Sequence, residues 1–400
     1  MKSDRINKIN RMRGKRRRLL PASNTDPVNP VKVSALVAPL LNWFAANARD
    51  LPWRRTLDPY AIWVSEIMLQ QTQVKTVIPY FERWMRELPT IEALANASSE
   101  KIHKLWEGLG YYTRVRNMQK AAQVIMEKHG GEFPRQFESV LALPGIGRYT
   151  AGAICGIAFN QPTPILDGNV IRVLTRVFGI REKAREKETN ARLWQLAESL
   201  VGAAVDCKFR ISNFKSLAGP CSALNQSFME LGATICTPKQ PKCEICPVTQ
   251  LCIARRKCIV ERLPNLGERV TSTARRFVAC VIENNGAILV RQRPDGVVNG
   301  YLWEFPNVEL GLKPSAATAR KRLEAELGCA FDEFTPLITV KHAITRYRIT
   351  LEAFRAQLNG TWPAAAAGEW IPADELQRLS FTSAHRRVLN AARQDAGGTL

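Results

Sequence analysis

A chain of 400 residues, 46% of them hydrophobic, is long enough for two or three domains with cores of their own. No run approaches the roughly 20 apolar residues of a membrane span, and Leu19-Leu20 run straight into Pro21, which excludes a signal-peptide core. An intracellular protein that does not engage membranes is expected. The net charge is +21, of which residues 1–18 carry +8. Since the body is basic as well as the tail, the balance points to a polyanionic partner.

Residues 1–30 read as a basic, disordered tail. From about 33 to 258 the signals are helical. Val33, Leu36, Val37, Leu40, Leu41 and Phe44 repeat at helical spacing, with Pro39 making the first turn irregular. Asp58-Pro59 is a cap followed by proline at the first helical position. Glu66 falls one step before Ile67-Met68-Leu69 on that helix. Burial there would raise its pKa and keep it a neutral acid, whereas a solvated helix glutamate is the plain alternative. Val74, Val77, Ile78, Phe81, Trp84, Met85 and Leu88 form another apolar face. Leu141–Phe159 reads as helix, tight turn, helix. Gly145 and Gly147 in that turn let backbone N–H groups approach a phosphate without reading sequence. Asp167 opens a further helix, and capping N–H groups would hold its pKa low and the group charged. Between about Asp206 and Leu224 the chain carries Lys208, Arg210 and Lys215, read as an inserted basic loop.

Four of the ten cysteines, Cys236, Cys243, Cys246 and Cys252, are spaced C-x6-C-x2-C-x5-C. Four thiolates suit zinc or an iron–sulfur cluster. Zinc sites commonly use two separated C-x2–4-C pairs. A single C-x2-C between lone flanking cysteines, stiffened by Pro238, Pro241 and Pro247, suits a loop wrapped round a cubane.

Residues 259–273 read as a linker. Phe277–Glu283 and Ala287–Arg293 are β-rich and flank Asn285-Gly286, a hairpin signal. A helix over Ala316–Leu327, a strand-like Ile338–Phe354 and a helix near Ser383–Ala392 complete a smaller domain over 274–395. The expected fold class is multidomain: an all-α domain over 31–258, then an α+β domain.

Several motifs together carry a family resemblance. The cysteine spacing resembles the endonuclease III superfamily, the string Leu143-Pro144-Gly145-Ile146-Gly147-Arg148-Tyr149-Thr150-Ala151 its helix-hairpin-helix, and Leu166-Asp167-Gly168-Asn169-Val170 its aspartate motif. Ser65-Glu66-Ile67-Met68-Leu69-Gln70-Gln71-Thr72-Gln73-Val74 looks like the signature of adenine DNA glycosylases of the MutY type. The resemblance implies a 4Fe–4S cluster on the four cysteines. It implies Glu66 and Asp167 as catalytic carboxylates, assisted by Tyr149 and Asn169. Bifunctional relatives carry a nucleophilic lysine where this chain has Tyr149, so the implied chemistry is hydrolysis without strand cleavage. Arg54 and Glu230 match positions lining the adenine pocket. Gln71 and Tyr111 match wedges that enter the duplex, and Thr72 and Leu109 lie beside them. The implied substrate is double-stranded DNA with adenine opposite 8-oxoguanine or guanine.

Leu302-Trp303-Glu304-Phe305-Pro306 resembles the start of a Nudix active region, but Arg322-Leu323-Glu324-Ala325-Glu326-Leu327-Gly328 is a degenerate echo of its glutamates. The resemblance therefore implies a non-catalytic domain that checks the opposite strand. A Phe-Ser-His turn in the family is replaced by Ile344-Thr345-Arg346, where Thr345 keeps a hydroxyl for DNA. The competing readings are a bifunctional glycosylase/lyase and a non-catalytic lesion binder.

Overall fold

The computed structural model describes residues 31–205, 219–268, 271–311, 315–344, 346–359 and 368–395. The basic tail, residues 206–218 of the expected basic loop, Thr345 and Ala364–Ala367 lie outside the described residues.

In chain order the helices are α1 (Ser34–Asn47), α2 (Pro59–Leu69), α3 (Val74–Glu87), α4 (Ile91–Ala95), α5 (Ser99–Trp106), α6 (Thr113–His129), α7 (Phe137–Leu141), α8 (Arg148–Ala158), α9 (Gly168–Phe178), α10 (Lys187–Val205), α11 (Pro220–Thr234) and α12 (Ile253–Arg256). The strands β1 (Thr273–Asn284), β2 (Ala287–Gln292), β3 (Trp303–Glu304) and β4 (Asn307–Leu310) follow. After them come α13 (Ala316–Leu327), β5 (Ala330–Ile344), β6 (Tyr347–Asn359), β7 (Glu369–Pro372) and α14 (Ser383–Asp395). Two compact units interleave along the chain. One holds residues 31–48, 166–205 and 223–265; the other holds 49–165, 219–222 and the described residues from 266 onward.

In the second unit α2 is the central helix. It is apolar all round, and every residue from Tyr60 to Met68 is buried, Ser65 and Glu66 included. Asp58 starts it by accepting the Tyr60 N–H at 3.0 Å, with Pro59 at the first helical position. Trp63, Trp84, Trp106 and Phe81 fill the surrounding core. In the first unit α1 runs through Pro39, and it opens on tight i→i−3 bonds, from the Ala35 and Leu36 N–H groups to the Lys32 and Val33 carbonyls, both at 3.1 Å.

The sheet of the second unit has the order β3-β2-β1-β6-β5, with β4 on β1 and β7 on β2. Side chains alternate across β1. Ala279 and Val281 pack with Val388 and Leu389 of α14, while Val278, Cys280 and Ile282 pack with Ala319 and Leu323 of α13. Asn285 and Gly286 both have positive φ (48° and 77°), as the β1–β2 hairpin requires.

Three expectations need correction. Ile338–Phe354 is two antiparallel strands, β5 and β6, with Ile344 paired to Tyr347; without glycine or proline only the family resemblance, and no local signal, marked that turn. The first half of the expected linker is packed: Ile259 and Leu263 are buried against Ala254, and the Asn265 carbonyl accepts the Ala184 N–H at 2.9 Å. Pro264 and Gly267 disguised those apolar residues. Finally, the residues from Pro220 onward, assigned to the basic loop, begin α11.

Candidate active site

In the second unit the buried α2 carries Glu66 inward, with 4% of its surface exposed. A carboxyl buried in an apolar helix needs a polar partner. Tyr149, in the first turn of α8, donates its hydroxyl to Glu66 Oε2 at 2.7 Å. Gly145 and Gly147 precede that turn. Gly145 has φ +75°, and a Cβ there would meet the Asn117 side chain at 2.5 Å. Gly147 is the exposed N-cap of α8, has no side-chain cap and looks onto open space, so the first N–H groups of the helix are approachable from outside.

Gln71 follows α2 and Tyr111 precedes α6. Both are exposed, and both hold left-handed backbone, with φ of 57° and 49°. Thr72 is half-buried, its hydroxyl on the Gln70 carbonyl at 3.3 Å. Leu109, expected among the DNA contacts, has its side chain buried with the core around Trp106. Tyr112 is likewise buried. Arg54 ends a short 3-10 turn and donates to the Arg49 carbonyl at 3.1 Å.

In the first unit Asp167 caps α9, accepting the Val170 N–H at 2.7 Å on Oδ1 and the Asn169 amide at 3.0 Å on Oδ2. These bonds and nearby Arg172 favour the charged form, yet burial outweighs them and pushes the carboxyl above its ordinary pKa. The expectation of a pKa held low by capping is thereby corrected. Asn169 passes the arrangement on, its Oδ1 accepting Arg172 Nη2 at 2.7 Å. Arg172 also donates to the carbonyls of Gly232 and Cys236, both at 2.7 Å. Gly232 is needed there, since a Cβ would stand 2.6 Å from Asn169 Cβ. Glu230, two residues earlier on α11, is 1% exposed.

One helical turn beyond Arg172, Arg176 donates to Cys236 Sγ at 3.3 Å and to the carbonyls of Thr237, Val260 and Leu263. Cys236, Cys243, Cys246 and Cys252 line one tight recess walled by Val173, Val177, Leu231, Ile235 and Val248. The described residues contain no group of three or more His, Cys, Asp or Glu placed to hold a single metal ion. Four thiols gathered on one apolar recess suit an iron–sulfur cluster, which these cysteines would hold as thiolates. Burial pushes the Cys246 thiol up to about 12 and raises Cys243 and Cys252 in the same direction. Ligation by a thiophilic cluster would supply the charge that holds them as thiolates.

Residues 64–199 match the helix-hairpin-helix superfamily of base excision DNA repair proteins, 236–252 the iron–sulfur binding domain of endonuclease III, and 278–391 the NUDIX domain. The chain is 36% identical to the rat adenine DNA glycosylase, over 92% of this chain and 80% of that one. The chain belongs to the adenine DNA glycosylase family. Against the human adenine DNA glycosylase the identity is 35%, over 92% of this chain and 76% of the relative. A solved thermostable thymine-DNA glycosylase is 30% identical, covers 56% of this chain and 97% of its own, and has a TM-score of 0.49. This glycosylase is thus a DNA N-glycosylase of base excision repair that carries a 4Fe–4S cluster, with a Nudix-like domain following the helical part in the chain.

In that Nudix-like domain of the glycosylase, arginines engage the glutamates of the degenerate motif. Arg320 donates to Glu324 at 2.9 Å, and Arg291 lies 3.4 Å from Glu326. Sequence reasoning missed Arg114, Arg172 and Arg176. The last two carried a signal: they stand one turn apart on a helix whose neighbours Val170, Val173, Leu174 and Val177 are apolar.

Proposed function

We propose that this glycosylase hydrolyses the N-glycosidic bond of adenine mispaired with 8-oxoguanine or guanine in double-stranded DNA, acting as a monomer inside the cell, in the cytoplasm and on the nucleoid if it is bacterial. The observation that carries the reading is the buried Glu66 bonded to the Tyr149 hydroxyl. Burial favours a carboxyl that keeps its proton, which the leaving purine needs. A tyrosine at that place offers no amine to form an imine with the sugar, so the abasic strand is left intact.

Asp167 supplies negative charge facing the sugar cation that develops as the bond breaks. Asn169 holds Asp167 and assists the attacking water. Arg54 and Glu230 contact the adenine. The target must leave the stack, and Gln71 and Tyr111, raised on left-handed turns, fill the space it vacates. The backbone at Gly145 and Gly147, with Thr72 beside Gln71, holds phosphate. Cys236, Cys243, Cys246 and Cys252 ligate the 4Fe–4S cluster, which when bound cross-links the loop they lie on. The opposite base is checked by the Nudix-like domain at the β5–β6 turn. Arg275 and Arg346 lie 5.1 and 5.2 Å from the ring of Tyr347, an aromatic–cation group at the start of β6.

Single-turnover assays on duplexes with adenine opposite 8-oxoguanine, guanine and thymine test the reading. Excision is expected for the first two, with strand breaks only after alkali. Breaks without alkali, or an enzyme–DNA adduct trapped by borohydride, would establish the lyase alternative.

A further inference from the structure

Arg114, in the first turn of α6, reaches back to two chain reversals at once. Its Nη1 donates to the carbonyls of Ile67 at 2.7 Å, Met68 at 3.2 Å and Gln70 at 2.6 Å. Its Nη2 donates to the carbonyls of Leu109 and Gly110, both at 3.1 Å. The guanidinium lies 5.2 Å from the ring of Trp106 and 5.7 Å from that of Tyr111.

The first group of acceptors is the C-terminal end of α2, where carbonyls run out of helical partners and the helix dipole is negative. The second is the turn between α5 and α6. Directly beyond the first stands Gln71, and directly beyond the second stands Tyr111. Each is exposed and each has positive φ, a conformation that costs a residue other than glycine. Such strain persists only where the surroundings over-determine it. A planar fork with donors on two edges can hold two turns in one register, whereas an ammonium is a single point. Burial lowers the pKa of Arg114 to about 10, which leaves it charged at neutral pH.

We propose that Arg114 is the positioning residue of the wedge: one guanidinium fixes the tips carrying Gln71 and Tyr111 relative to each other, so that both enter the duplex together. This rests on the reading of Gln71 and Tyr111 as wedges. Arg114 touches no DNA in this account. Its contribution belongs to extrusion of the base and not to breaking the bond.

The test compares the full-length, cluster-loaded protein with its Arg114→Lys variant on two duplexes. One carries adenine stacked opposite guanine, and the other carries adenine already unpaired in a bulge. The expected result is a loss of about 10²-fold on the stacked adenine, the scale of a small misplacement, and a much smaller loss on the bulged one. The fluorescence rise of a 2-aminopurine beside the target, which reports unstacking, should shrink in parallel. Tyr111→Ala should show the same pattern, and adding Arg114→Lys to a Gln71→Ala/Tyr111→Ala background should cost little more. Equal losses on both duplexes, or wild-type selectivity and fluorescence, would overturn the proposal. If Tyr111→Ala shows no selectivity, the wedge reading itself falls; if Tyr111→Ala shows it and Arg114→Lys does not, only the role of Arg114 falls. Should Arg114→Lys fail to fold, Gly110→Ala strains the same turn from open space at φ +70°. The same selective loss is expected, and its absence would overturn the proposal.

Discussion

Glu66 and Asp167 are two carboxyls withdrawn from water in different ways. Glu66 is swallowed by a helix with no polar face and meets a tyrosine hydroxyl. Asp167 stands at a helix N-terminus, where a backbone N–H, the Asn169 amide and, through that amide, Arg172 are arranged around it. The first setting sets burial, which favours the protonated form, against a donated hydroxyl, which favours the charged one. The second supplies what an anion needs, and yet burial still pushes Asp167 above its ordinary pKa. A negative charge at Asp167 is therefore held at a cost, which the bonds around it offset in part.

The contrast can be broken in several places. Asp167→Asn removes the charge and keeps the shape, so single-turnover excision should fall by about 10²–10³-fold or more, while gel-shift affinity for the mismatched duplex stays close to wild type. Arg172→Gln cuts the link from Asn169 to Gly232 and Cys236. A loss of about 10–100-fold is expected, the range for groups that orient a first ligand, with iron content measured on the same preparation to separate orientation from cluster loss. Tyr149→Phe deletes one hydrogen bond to Glu66 and should slow excision about tenfold or less.

The smallest effect is on stability. Because folding raises the pKa of Asp167, its protonated form stabilises the fold below the unfolded pKa, and this contribution is lost as pH rises through the folded value. At neutral pH the wild type therefore holds an unfavourable charge. Asp167→Asn should melt higher than wild type at neutral pH, and the gap should close as pH falls; a gap that is constant with pH would mean that burial does not govern this carboxyl.

Much of this was legible in the sequence, and the gaps have physical causes. The cap at Asp58-Pro59, the Asn285-Gly286 hairpin and α13 were readable because each depends on local backbone chemistry. Glu66 was readable as buried because its neighbours along the helix are apolar. Arg114 and Arg172 were not, since what they do depends on carbonyls 44 to 47 and 60 to 64 residues away in the chain. The pKa of Asp167 was misjudged for a related reason. The capping bonds are local and visible in the motif, whereas the protein packed around the carboxyl is not. Leu109 read as a DNA contact because it shares a glycine-rich stretch with Tyr111, but its side chain packs in the core around Trp106.

The central claim is that a proton from Glu66 is what allows adenine to leave. It is tested most directly by single-turnover excision with Glu66→Gln on a duplex carrying adenine opposite 8-oxoguanine, with binding measured on the same preparation. Glutamine keeps the size and polarity of the side chain and removes its acidic proton. Affinity should be unchanged and the rate lowered by about 10²–10⁴-fold. A near-normal rate from a fully bound complex would contradict it.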